Sequence, residues 1–318
     1  MCGIAGLIYK RGEGRIGHDM IEMCHALGHR GPDSTGFALY GENRQGDYIA
    51  WVKLEEASPL ERSDYERYQR EEIRARIERL GGAVHEARSV LSYADRLDFS
   101  YDGELKLLID SIEAVGPEVE ITGVGRAMEL VKDVGLARDV GERYELGSFR
   151  GTHGIGHARM ATESKVDVSH AHPFWAYPYA DICVVHNGQI TNYWKTRRLL
   201  EGRGHRFRSQ CDSELIAVYI AWQLDGGLSL DDALHSSLED LDGVFTYIVA
   251  TENELGVAKD ELAAKPLVVM ESDYAVALAS EEVALRTVFD EELPSYDPYD
   301  QVVLSWEKPA ALAVAESR

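Results

Sequence analysis

The sequence predicts an α+β fold in which antiparallel sheet carries helices on its outside, and three observations carry that expectation. The opening residues 4–9 form a short apolar run of strand type. From residue 151 onward, further short runs rich in β-branched and aromatic residues alternate with turns, as sheet strands do. Two segments with apolar residues at helical spacing interrupt this series, the first placing Leu215, Ile216, Tyr219, Ile220 and Leu224 on one face. Strands and helices arranged in this way favour sheet in the centre and helices packed over it.

In chain order, the opening strand is followed by a helix expected over residues 19–27. Next comes His29-Arg30-Gly31-Pro32-Asp33-Ser34-Thr35-Gly36, whose glycines and proline mark a loop of special backbone geometry. From about 41 to about 150 the texture turns charged. Ser63-x-x-Glu66 has the form of a capping box, opening a helix to about Leu80 that is laced with i,i+4 charge pairs and is expected to face solvent. Residues 105–109 read as a strand and 125–134 as a second helix. Gly123-Val124-Gly125 lacks the third glycine and the long preceding strand of a nucleotide loop, so it reads as a helix entry. Later strands are expected at 182–185, 244–250, 267–270, 275–279 and 302–305, with helices at 213–224 and 229–241. The chain is thus read as one domain, 1–318, with a charged and largely helical insertion at about 41–150.

Composition excludes several classes. With 318 residues, 45% of them hydrophobic, the chain can bury a real core. A formal net charge of −22 argues against nucleic acid and anionic membranes as partners, since both repel such a surface. No run approaches a membrane span and no signal peptide opens the chain, so a cytoplasmic location is expected. Cys2, Cys24, Cys183 and Cys211 have no C-x-x-C spacing, which indicates neither a disulfide framework nor a zinc site.

Cys2 stands directly behind Met1. If Met1 is removed, thiol and free α-amine share one residue, and a nucleophile then carries its own base. A thiol ordinarily titrates at about 8.5 and an α-amine at about 7.7 to 8.0, so the amine can take the thiol proton near neutral pH. Taken alone, Cys2 reads more readily as a small buried hydrophobe. Four further constellations supply what a cysteine attacking an amide needs. His157-Ala158-Arg159-Met160-Ala161-Thr162 offers a guanidinium able to grip a carboxylate bidentately, though its ordinary role is a surface ion pair. His186-Asn187-Gly188 follows a strand and offers the amide and N–H donors of an oxyanion hole, against the commoner Asn-Gly turn. Cys211-Asp212-Ser213-Glu214 opens a helix, where Asp212 serves either as an N-cap or as the carboxylate that holds an α-ammonium group. His170-Ala171-His172 has no third ligand at a metal-binding spacing and is read as shaping a loop.

Together these pieces resemble the class-II glutamine amidotransferases, whose N-terminal nucleophile hydrolyses glutamine to deliver ammonia. The matching stretches are Met1-Cys2-Gly3-Ile4-Ala5-Gly6, His29 to Ser34, Gly156 to Thr162, Ala171-His172-Pro173-Phe174, Val185 to Gly188, Cys211 to Glu214 and Ala279-Ser280-Glu281. The middle segment, with Gly125-Arg126-Ala127-Met128-Glu129, looks like the stand-alone amidotransferase subunits of glutamate-synthase-like and N-methylglutamate-synthase-like systems.

The resemblance implies a four-layer αββα sandwich of two antiparallel sheets. It implies that Cys2 attacks L-glutamine through a γ-glutamyl thioester, with Asn187 and the Gly188 N–H as oxyanion hole. Arg159 would bind the substrate α-carboxylate and Asp212 its α-ammonium, with His186 and Thr162 lining the site and Arg30 and His172 supporting it from behind. No metal or organic cofactor is expected in this chain. The ammonia is expected to pass to a synthase subunit in a hetero-oligomer, and flavin and iron–sulfur groups would belong to that partner. Two other readings stay open: an N-terminal-nucleophile hydrolase acting on another γ-glutamyl amide, and a non-catalytic glutamine-sensing subunit.

Overall fold

The computed structural model describes residues 2–55, 62–160, 167–289, 292–299 and 301–309. In chain order its elements are β1 (Gly3–Tyr9), α1 (Ile16–Ala26), β2 (Ser34–Tyr40), β3 (Asp47–Lys53), α2 (Arg62–Arg79), β4 (Ala83–Leu91), β5 (Ala94–Ser100), α3 (Leu105–Glu113), β6 (Glu120–Gly125), β7 (Met128–Val134) and α4 (Ala137–Arg143). There follow β8 (His153–Arg159), β9 (Phe174–Trp175), β10 (Cys183–Ile190), α5 (Tyr193–Gly202), α6 (Asp212–Asp225), α7 (Leu230–Asp240), β11 (Gly243–Ala250), β12 (Glu254–Lys259), β13 (Val268–Glu271), β14 (Ala275–Ala279), α8 (Glu282–Leu285), β15 (Ser295–Tyr296) and β16 (Val302–Glu307).

The strands form sheets of order β15-β13-β14-β1-β8-β2-β7, β16-β12-β11-β10-β9 and β4-β5-β3-β6. Alternation along β1 explains how they stack. Ile4 and Ile8 point into a central cluster with Ile248, Leu255 and Val257 of the second sheet. Ala5, Leu7 and Tyr9 point the other way, into a cluster with α1, α4 and α8. The strand is buried on both faces, so it reads as one continuous apolar run. In β11, Ile248 and Ala250 face the first sheet, while Phe245, Tyr247 and Val249 face α6 and α7. Helices, sheet, sheet and helices therefore make four layers, as the resemblance implied.

The middle of the chain differs from expectation in three places. Residues 125–134 are not a helix but the end of β6, a turn and β7. Every residue of β7 pairs with β2, and the turn is clamped by Asp181, whose carboxylate accepts from the backbone N–H groups of Arg126, Ala127 and Met128 at 2.8–3.0 Å. Tertiary pairing overrides the helix propensity of Met, Glu, Leu and Lys. Residues 105–109 are not a strand but the first turns of α3, which buries Leu108, Ile109 and Ile112 at helical spacing. The inserted region is not largely helical either, since β3 to β6 build a sheet of their own beside α2 and α3. The helix expected from the capping box is present as α2, but it buries Ile73 and Ile77 in the central cluster and is not wholly solvated. The side chain of Ser63 lies outside the described residues.

Candidate active site

β1 is flanked by β14 and β8, with Gly3 opposite Ala158. Cys2 therefore emerges where β8 ends at Arg159 and where β14 gives way to Ser280. The Met160 backbone N–H donates to Cys2 Sγ at 3.3 Å, and the Ile4 N–H donates to Ser280 Oγ at 3.0 Å. The carbonyl oxygen of Cys2 accepts from Arg30 Nε and from Asn187 Nδ2, each at 3.0 Å. Asn187 Nδ2 also reaches Ser280 Oγ at 3.2 Å. Cys2 is half-buried, in contrast to Cys24 and Cys183, which are fully buried. Burial pushes the Cys183 thiol up to about 12, and burial together with the nearby Asp212 pushes Cys211 up to about 11, which keeps both as inert thiols.

The expected loop before β2 is shorter than the motif suggested, since Ser34 already belongs to the strand. A β-carbon on Gly31 would lie 2.3 Å from the Ala158 oxygen, so only glycine lets this loop close onto the end of β8. That closure delivers Arg30 to Cys2. The Arg30 guanidinium also pairs with Glu281, which accepts from His29 as well. Burial alone would raise the Glu281 carboxyl, but the hydrogen bonds from Arg30 and His29 outweigh it and hold the group below its ordinary value.

His186, Asn187 and Gly188 lie in the second half of β10, ahead of its last residues Gln189 and Ile190. Gly188 has φ +142, and a β-carbon there would sit 2.2 Å from the Val244 oxygen. Asp212 is the first residue of α6, not its N-cap; that place is taken by Cys211, whose side chain makes no capping bond. The Asp212 carboxylate instead accepts from the Ile190 N–H at 3.0 Å and lies 3.6 Å from His186 Nδ1. Ser213 Oγ bridges two imidazoles, 3.0 Å from His186 Nδ1 and 3.3 Å from His172 Nε2. His157 stacks on His172 with ring centroids 4.0 Å apart.

All three histidines are buried. Burial pushes His157 down to about 3, His172 well below its ordinary value, and His186 down as well despite the nearby Asp212. Neither nitrogen of His157 makes a well-formed hydrogen bond; the His186 backbone lies close but in poor geometry. The Arg159 cation lowers His157 and His172 further, with Lys132 adding to the effect on His172, while Asp212 opposes and Lys265 reinforces the lowering of His186.

Of the residues singled out in the sequence, Cys2, Arg30 and Asn187 meet directly, His172 and His186 are linked through Ser213, and Asp212 approaches His186 directly. Arg159 ends β8 and is buried, one residue before the N–H that meets the thiol. Thr162 lies outside the described residues. Sequence reasoning assigned no role to Ser280, Ser213, His157 or the Met160 N–H, although each stands within one of the quoted motifs. Among the described residues no group of His, Cys, Asp and Glu is arranged to hold a metal ion, and no helix is long and apolar enough to cross a membrane.

Comparison with known proteins names the family to which this fold and site belong. Residues 157–287 match the glutamine amidotransferase domain. The chain is 42% identical over 298 residues to a protein of Methanothermobacter thermautotrophicus whose assigned name is that of a glutamine amidotransferase, covering 91% of this chain and 94% of that one. It is 38% identical to the glutamine amidotransferase-like protein GlxB of Rhizobium meliloti, over 98% of this chain and all of that one. Among solved structures, the glutamine phosphoribosylpyrophosphate amidotransferase of B. subtilis superposes with a TM-score of 0.59 at 19% identity, matching 96% of this chain and 47% of the other, so this chain spans about half that protein's length. The chain belongs to the class-II glutamine amidotransferase family and is an enzyme of that type.

Proposed function

We propose that Cys2, once Met1 is removed, hydrolyses L-glutamine to L-glutamate and ammonia. Cys2 Sγ attacks the side-chain amide carbon while the α-amine takes the thiol proton. The amine then passes that proton to the departing nitrogen, and the C–N bond breaks to release ammonia and leave a γ-glutamyl thioester. Water, deprotonated by the same amine, hydrolyses the thioester and restores the thiol. Asn187 Nδ2 and the Gly188 N–H take the oxyanion, which requires Asn187 to release one of its two present acceptors, Cys2 O or Ser280 Oγ. Arg159 holds the α-carboxylate and Asp212 the α-ammonium, with Thr162 and His186 beside them.

The observation that supports this reading best is the convergence on Cys2: Arg30 and Asn187 hold its carbonyl, and the N–H following Arg159 meets its sulfur. The test is intact-protein mass spectrometry before and after incubation with a diazo-ketone analogue of glutamine, with Cys2→Ala as control. Loss of Met1 and one adduct, absent in the variant, is the expected result. Processed protein that takes no adduct would sink the reading.

The ammonia acceptor is proposed to be a separate synthase subunit of glutamate-synthase-like type, with any flavin and iron–sulfur groups on that subunit. What supports this is the likeness of the middle segment, Gly125 to Glu129, to stand-alone amidotransferase subunits. Purification from the native host at several salt concentrations should bring such a subunit down with this chain.

A further inference from the structure

β4 is the outermost strand of the four-stranded sheet, paired on one edge with β5, while no strand among the described residues pairs with the other edge. It is nine residues long, about 30 Å at the usual strand rise. Residues 85–89 along it are exposed. A free edge of that length is a template for another strand.

The strand's own neighbour leaves its charges badly matched. Pairing with β5 sets Glu86 opposite Asp98 and Arg88 opposite Arg96, like against like in both cases. Asp98 is answered by Arg44 and Arg96 by Glu129, and Arg88 reaches Glu145 in an exposed pair. The Glu86 side chain makes no hydrogen bond or close ion pair within the chain among the described residues, and is attracted only more distantly by Arg96.

The run Ala83-Val84-His85-Glu86-Ala87-Arg88-Ser89-Val90-Leu91 is, however, complementary to its own reverse about Ala87. Antiparallel pairing of two copies sets Glu86 opposite Arg88 twice, Val84 opposite Val90 twice, Ala83 opposite Leu91 twice, and Ala87 opposite itself. Each like-charged position on the β5 side gains an opposite charge on the free side. A twofold axis through the strand centre demands this kind of pattern, because every contact is made twice.

We infer that the free edge of β4 docks a second copy of this chain, joining two four-stranded sheets into one of eight strands. The contact centres on residues 86–88, the part of the regular stretch that is symmetric about Ala87, because the β4 ladder is irregular between Val84 and Glu86 and between Ser89 and Leu91. Bulges and charges on an edge can also serve to keep strands apart. The two roles respond oppositely to charge reversal.

Sedimentation velocity on the full chain at micromolar concentration distinguishes them. Wild type should sediment as a dimer of the 35.5 kDa chain. Glu86→Arg alone and Arg88→Glu alone should each raise the dimer dissociation constant at least tenfold, since each variant sets like charges across the axis. Mixed one to one, the two variants should recover a dimer, because one copy is then positive at both positions and the other negative at both. Ala87→Cys should cross-link as a disulfide dimer under mild oxidation, where wild type does not. Monomeric wild type, a dimer indifferent to both reversals, or variants that melt like wild type yet fail to pair when mixed would each overturn the inference.

Discussion

Arg30 donates from Nε to the carbonyl oxygen of Cys2 at 3.0 Å, while its terminal nitrogen is held by Glu281 beyond the end of β14. One guanidinium thus ties Cys2 to Glu281, which lies 251 residues beyond Arg30 itself. The tie fixes the first peptide unit, and with it the direction in which thiol and α-amine point. Arg30→Ala should lower kcat for glutamine about 10- to 100-fold, in line with the cost of misplacing a reacting group. Glu281→Gln keeps a hydrogen-bond acceptor and should cost less. Steady-state glutaminase kinetics on the two variants check the order, and equal losses would argue that the pair acts only through stability.

Asn187 carries the oxyanion assignment most directly. Asn187→Ala should reduce kcat by about 10²–10³-fold with KM little changed, the pattern of a donor that acts in the transition state. Its folded stability should fall only modestly, because Ser280 Oγ keeps the Ile4 N–H as partner. A rise in KM with kcat preserved would move Asn187 from transition-state stabilisation to substrate binding.

Arg159 and Asp212 should separate by substrate. Arg159→Lys keeps the charge but loses the planar fork, so KM for glutamine should rise about tenfold or more. Asp212→Asn should likewise raise KM for glutamine, but should narrow the gap between glutamine and an analogue lacking the α-ammonium. If Asp212→Asn weakens both substrates equally, Asp212 serves the Ile190 N–H and not the ligand.

Motifs compact in sequence were legible, and contacts made by distant pairing were not. Cys2, Asn187-Gly188 and Arg159 stand in short stretches whose residue types already imply their chemistry. Strands β1, β11 and β14 were readable because each is apolar on both faces. β7 was not, because Glu129, Lys132 and Asp133 give it a helical composition while its partner β2 lies about ninety residues earlier. Ser213 was visible only as part of a helix start, since its role depends on two histidines brought together from β10 and from the loop before β9. The charge complementarity of β4 was hidden for the same reason: nothing in the sequence says that this run is an edge.

The buried histidines make the fold less stable as pH falls. An unfolded imidazole titrates at about 6.5, whereas burial holds folded His157 down near 3. Between those values the unfolded chain binds a proton that the folded chain refuses, so unfolding becomes easier as pH falls. The stability is fully present above about pH 6.5 and is lost progressively toward pH 3. His172 and His186 shift in the same direction and add to the slope. Each group contributes at most one proton, about 1.4 kcal/mol per pH unit. Urea midpoints measured from about pH 7 to about pH 4 should therefore fall less steeply for His157→Phe, which also preserves the stack on His172, than for wild type. Parallel slopes in the two proteins would mean that His157 is protonated inside the fold, and the neutral imidazole cluster would have to be abandoned.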